Sequence, residues 1–156
     1  MMKRMKYLLL ALLLAFLPSV VSAEDFDPKA FHIEVDRILP MGFPSNYVDG
    51  FYMELKNDSV SMYMPYVGSL DMAPIGADSG LNFTDEPIYD YKTEKGKKDV
   101  TMVTFKVKPG IVEFCFRIKA FTNNVADIDL TRTDGQPCGY YGEWRGLTPK
   151  DQVTDP

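Results

Sequence analysis

Apolar and polar residues alternate with a period of two along most of the chain beyond residue 24, and no stretch there sustains a 3.6-residue apolar period. Phe31, Ile33 and Val35 alternate with His32, Glu34 and Asp36. Phe51, Met53 and Leu55 alternate with Tyr52, Glu54 and Lys56. Val60, Met62 and Met64 follow, then Tyr89 and Tyr91, then Val103, Phe105 and Val107. Val112, Phe114, Phe116 and Ile118 come next, then Ala126, Ile128 and Leu130, and last the segment around Gly139 and Tyr141. This pattern predicts an all-β domain of about eight antiparallel strands in a meander, closing as a barrel or stacking as a β-sandwich.

Turn chemistry tests the pattern, because residues paired across a hairpin share a face. A two-residue turn at Asn57 and Asp58 sets Leu55 against Val60, Met53 against Met62 and Phe51 against Met64. A two-residue turn at Pro109 and Gly110 sets Val107 against Val112, Phe105 against Phe114 and Val103 against Phe116. Asp134 and Gly135 form a strong hairpin dipeptide, which sets Leu130 against Gly139 and Ile128 against Tyr141. A three-residue loop at Gly96, Lys97 and Lys98 sets Tyr91 against Val103 and Tyr89 against Phe105. A two-residue turn at Asn123 and Asn124 fails, since it places Ile118 against Asp129. Starting the loop at Thr122 restores Ala120 with Ala126, Ile118 with Ile128 and Phe116 with Leu130.

The N-terminal segment has a different pattern. A basic head (Lys3, Arg4, Lys6) precedes a leucine-rich run over 7–17, Pro18 breaks it, and Val21 and Ala23 are small enough for signal peptidase. That order predicts a secretory signal over 1–23, with cleavage between Ala23 and Glu24. The run is shorter than the ~20 apolar residues of a membrane span, so no span is expected after cleavage. The expected organisation is a signal peptide (1–23), one β domain (24–146) and a loose tail (147–156), in an exported and most simply periplasmic protein.

Cleavage changes the charge. The whole chain carries −5, and losing three basic residues leaves 14 against 22 acidic ones, or about −8. Such a surface disfavours nucleic acid and anionic membranes. An exported chain with two cysteines invites a disulfide, but the register opposes one. Cys115 and Cys138 are both expected on the outer face with a strand between them. Two strand spacings are ~10 Å, whereas a disulfide needs Cα atoms within ~7 Å.

No catalytic constellation emerges. His32 is the single histidine and sits on a polar strand face. No zinc-ligand spacing, calcium loop, phosphate loop or dinucleotide fingerprint occurs, so no metal or cofactor is expected. Asp127 and Asp129 share one face as glycosidase acids could, or as ordinary outer-face residues. Segment 68–80 lacks alternation yet carries Leu70, Met72 and Ile75, as a lid or an apolar strap would. Outer-face aromatics are the other candidates for holding a ligand or partner: Tyr52 opposite Tyr63, then Tyr66, Tyr140 and Trp144.

Several blocks carry a resemblance. They are Val35-Asp36-Arg37 with Pro40-Met41, Tyr63 through Gly68, Gly80-Leu81-Asn82-Phe83, Tyr89-Asp90-Tyr91, and Gln136-Pro137 with Gly142-Glu143. In order and spacing they resemble the exported family of Bacteroides-type bacteria catalogued as domain of unknown function 4251. The resemblance implies a lipocalin-like antiparallel barrel in the cell envelope and no known activity. The Pro109-Gly110 turn departs from it as a tighter connection than the family's usual one. It also implies possible O-glycosylation of Ser59, because such bacteria modify Asp-Ser/Thr followed by an aliphatic residue, and Asp58-Ser59-Val60 fits. The expected function is a non-enzymatic binding module for an apolar small molecule, lipid or glycan. The alternative is a protein-interaction or structural component of the envelope.

Overall fold

The computed structural model describes residues 25–66, 80–133 and 135–148. The expected signal peptide with its Ala23–Glu24 cleavage point, most of the 68–80 segment with Met72, and most of the expected tail lie outside the described residues.

Eight strands follow one another: β1 (Ala30–Pro40), β2 (Asn46–Lys56), β3 (Ser59–Pro65), β4 (Gly80–Lys95), β5 (Thr101–Val107), β6 (Phe114–Ala120), β7 (Val125–Arg132) and β8 (Cys138–Gly146). Each pairs antiparallel with the next, and β8 pairs back onto β1, so the sheet closes into a barrel and has no sandwich seam. Among the described residues the only helical turn is a 3₁₀ turn, Lys97–Asp99. The period-two alternation sends Phe31, Ile33, Met53, Leu55, Val60, Met62, Phe105, Phe116, Ile118 and Ile128 into the interior, where they are fully buried. The residues between them, such as Glu34, Arg117 and Asp129, face outward. This wall is polar outside and apolar inside, the reverse of a barrel that crosses a bilayer.

Two expected hairpins have the predicted register. Leu55 pairs with Val60 and Met53 with Met62 around Asn57, whose φ of 53° supplies the left-handed residue of the turn. Ala120 pairs with Ala126, Ile118 with Ile128 and Phe116 with Leu130. The connecting loop ends in left-handed Asn124 (φ 65°), the usual geometry of a three-residue hairpin loop.

Three turns differ from expectation. Val107 pairs with Phe114, Phe105 with Phe116 and Val103 with Ile118. The Pro109-Gly110 connection is therefore a six-residue loop, 108–113, and not a two-residue turn. Val112 belongs to that loop, and its slip of two residues leaves every face unchanged. The β7–β8 connection slips by one: Leu130 pairs with Cys138 and Ile128 with Tyr140. A one-residue slip turns a strand over, so Cys138, Tyr140 and Trp144, expected outside, point inward and are buried. The β4–β5 connection spans five residues, with Thr93 opposite Val103 and Tyr89 opposite Lys106. Tyr89 is consequently on the outer wall. β4 is also far longer than the Tyr89–Tyr91 stretch suggested. Left-handed residues at Asp85 and Asp90 (φ 49° and 51°) interrupt its alternation and hide its length.

Closure depends on one close approach. β1 carries a bulge at Asp36, between Val35 opposite Gly142 and Arg37 opposite Tyr141. A Cβ on Gly142 would lie 2.0 Å from the Glu34 carbonyl oxygen, whereas one on Gly139 would make ordinary 3.4 Å contacts with Leu39. We expect Gly142→Ala to cost about 3 kcal/mol or more, as overpacking against backbone does. Gly139→Ala should stay within about 1 kcal/mol. Urea unfolding of the two variants measures the difference.

Candidate functional site

Sequence-derived candidates fall into three separate places. On the outer wall, Tyr52 of β2 lies directly across from Tyr63 of β3. Both rings are exposed, at 36% and 49%. Each is braced from beneath. His32 stacks on Tyr52, with ring centroids 5.6 Å apart and planes within 9°. Phe51 packs on Tyr63 at 5.3 Å. The imidazole is itself positioned by Glu54, whose carboxylate takes a 3.1 Å contact from His32 Nδ1 and a 2.8 Å one from Lys56 Nζ. His32 is thus half-buried support beneath a tyrosine and not a free strand histidine. Among the described residues neither the Tyr52 nor the Tyr63 hydroxyl has a protein partner. Polar neighbours flank the pair in register: Glu34 beside Tyr52 and Asn82 beside Tyr63.

Tyr66 and Tyr140 do something else. Tyr66 is buried at the end of β3 and donates its hydroxyl to the Gln136 carbonyl at 2.6 Å. Tyr140 lies fully inside and donates to the Pro65 carbonyl at 2.9 Å. Burial pushes the Tyr140 hydroxyl far above its ordinary pKa. Both tyrosines tie the β7–β8 region to the end of β3 and are not available on the surface, contrary to expectation.

Trp144 occupies the third place, the lower end of the barrel, where β8 finishes. Its indole N–H donates to the Phe121 carbonyl at 2.8 Å. Phe26, from the segment before β1, crosses this end, 5.0 Å from Trp144 edge-on and 4.9 Å from Phe31. The turn chemistry gave no hint of Phe26, because it precedes the first alternating run.

The remaining candidates are structural in this geometry. Asp127 and Asp129 both pair with Lys119 at 3.3 Å, so the two carboxylates share one ammonium. Cys115 faces outward and Cys138 inward, with β7 between them and no disulfide joining them. Ser59 begins β3, half-buried, and its hydroxyl donates to the Lys56 carbonyl at 3.4 Å. Among the described residues no group of His, Cys, Asp or Glu is arranged to hold a metal. A feature the alternation missed is the β1–β2 tip, where Phe43 and Tyr47 are 75% and 78% exposed beside Met41. Its signal in the sequence is an apolar stretch bounded by Pro40 and Pro44.

A charge network marks the opposite wall. Tyr89 donates to Glu113, and Lys106 bridges Glu113 and Asp90 at 3.4 Å each. The hydrogen bond from Tyr89 is the main reason the Glu113 carboxyl lies below its ordinary value of 4.5, with Lys106 adding to it. A depressed carboxyl contributes stability above pH 4.5, and that contribution fades as pH falls through the lowered value. In Tyr89→Phe, the Glu113 midpoint should rise toward 4.5 in a carbon-detected NMR titration.

The fold and these sites define a small up-and-down β-barrel with a packed interior and no assembled catalytic group among the described residues. The chain belongs to the family described as domain of unknown function (DUF4251), whose model matches residues 24–144. The crystal structure of a DUF4251 family protein from Bacteroides eggerthii is similar, with a TM-score of 0.58 at 13% identity, over 76% of this chain and 80% of that one. At that identity the likeness speaks for the fold alone. No curated protein matches the chain.

Proposed function

We propose that this is an exported, non-enzymatic binding protein of the cell envelope that holds a glycan on the outer wall of β1–β3. The observation that carries this reading is the braced and exposed Tyr52–Tyr63 pair on a barrel whose described interior is occupied by its own side chains. An eight-stranded barrel is only just wide enough for side chains to fill or for one small ligand to enter. Tyrosine faces suit the C–H faces of sugar rings, while the free phenol hydroxyls, Glu34 and Asn82 offer hydrogen bonds at the rim. In calorimetric titrations against a panel of neutral oligosaccharides, Tyr52→Ala and Tyr63→Ala should each weaken binding about tenfold. Tyr47→Ala, on the distant hairpin tip, should leave it unchanged. Absence of binding to the whole panel overturns the reading.

The exposed tip formed by Met41, Phe43 and Tyr47 favours a second reading, a protein-interaction component, since contiguous exposed apolar residues mark contact surfaces. In that case Phe43→Ser abolishes capture of an envelope protein, and the tyrosine-pair variants do not.

Export rests on the basic head, leucine run and small residues of 1–23. The intact mass of the protein isolated from its host should correspond to a chain starting at Glu24. Added hexose-type mass that disappears in Ser59→Ala would place a glycan on that serine, and an unmodified mass removes it.

A further inference from the structure

A cavity of about 350 Å³ opens at the lower end of the barrel, within the size range of small-molecule sites. Its walls differ in chemistry. Phe26, Phe121 and Trp144 make an aromatic side, and Lys95, Asp25 and Asp99 bring both signs of charge. Trp144 is held by its bond to Phe121, so its ring orientation is set before any ligand arrives. Lys95 is positioned by Thr101, a buried hydroxyl that takes its ammonium at 2.9 Å. Among the described residues Lys95 has no carboxylate within ion-pairing distance, although Asp25 and Asp99 line the same cavity. The ammonium and the carboxylates therefore form no direct ion pair across it. Asp99 is brought there by two consecutive left-handed residues, Lys98 and Asp99 (φ 59° and 57°). That conformation is disfavoured for residues with a side chain.

We propose that this cavity binds a zwitterionic amino acid or short peptide with an apolar side chain. The ligand's carboxylate meets Lys95, its ammonium meets Asp99 and Asp25, and its side chain lies against Phe26 and Trp144. A neutral sugar would leave the Lys95 charge unanswered, and a simple monocarboxylate would leave the two aspartates unanswered. The site is separate from the tyrosine pair, and it stands whether or not that pair binds glycans.

Trp144 is the single tryptophan of the chain, so its emission reports on this cavity alone. The purified protein is titrated with leucine, the dipeptide Leu-Leu, N-acetyl-leucine and leucinamide. Leucine or Leu-Leu should shift the emission with a Kd of ~1 mM or tighter. N-acetyl-leucine and leucinamide, each lacking one charge, should bind at least about tenfold more weakly, as should Lys95→Met and Asp99→Asn with the zwitterions. Unchanged thermal unfolding of the two exposed-site variants separates lost binding from lost fold. The proposal is overturned if no zwitterion shifts the emission up to about 10 mM, a Kd range too weak to count as recognition. It is equally overturned if N-acetyl-leucine or leucinamide binds as well as leucine, or if both variants bind normally.

Discussion

The β1–β8 seam turns seven successive hairpin ladders into a closed wall. Without it the first and last strands would present unpaired backbone edges, which invite pairing with other chains. The seam is tight. Gly142 stands where any side chain would collide with the Glu34 carbonyl, and the bulge at Asp36 lets β1 change face there while staying paired with β8. That change allows both Val35 and Ile38 to be buried, although an uninterrupted strand would send one of them outward.

Closure also shapes where binding can occur. Phe31, Met53, Met62, Phe105, Phe116 and Tyr140 meet inside, fully buried, and an eight-stranded barrel leaves little room beyond such side chains. A ligand of the kind proposed would then have to meet the wall or the ends. On the wall, an exposed cross-strand tyrosine pair is kept rigid by rings beneath it, and rigidity lowers the entropy lost when a ligand binds. At the lower end, the segment before β1 leaves Phe26 over the barrel mouth and a cavity with aromatic and charged sides. Charged groups elsewhere on the wall, such as Lys119 with Asp127 and Asp129, are already satisfied by one another.

The all-β class and the meander order were legible because period-two alternation is a local property of the residues, while the family was legible only through blocks that resemble it, such as Gly80-Leu81-Asn82-Phe83. The Asn57 and Asn124 turns were legible too, since rich apolar faces on both flanking strands admit a single parity. β8 was not. Its two faces read almost alike, with Cys138, Tyr140 and Trp144 on one and Gly139 and Tyr141 on the other, so its orientation followed the assumed turn. One residue of loop length reversed it and took Tyr140 and Trp144 out of the surface patch. The Tyr52–Tyr63 half of that patch survived because the Asn57 turn has the expected length.

The sequence by itself determined the class of the fold, the strand order and the partners across two hairpins, because alternation and turn residues act over a few neighbouring positions. Tertiary structure decided the closure of β1 on β8, the loop lengths that set the face of β8, and the meeting of Phe26, Lys95, Thr101 and Trp144 at one mouth. Phe26, the Lys95–Thr101 end of the β4–β5 hairpin and Trp144 lie far apart in the chain. Only a closed barrel, with its strand ends gathered into a ring, brings them within contact of each other.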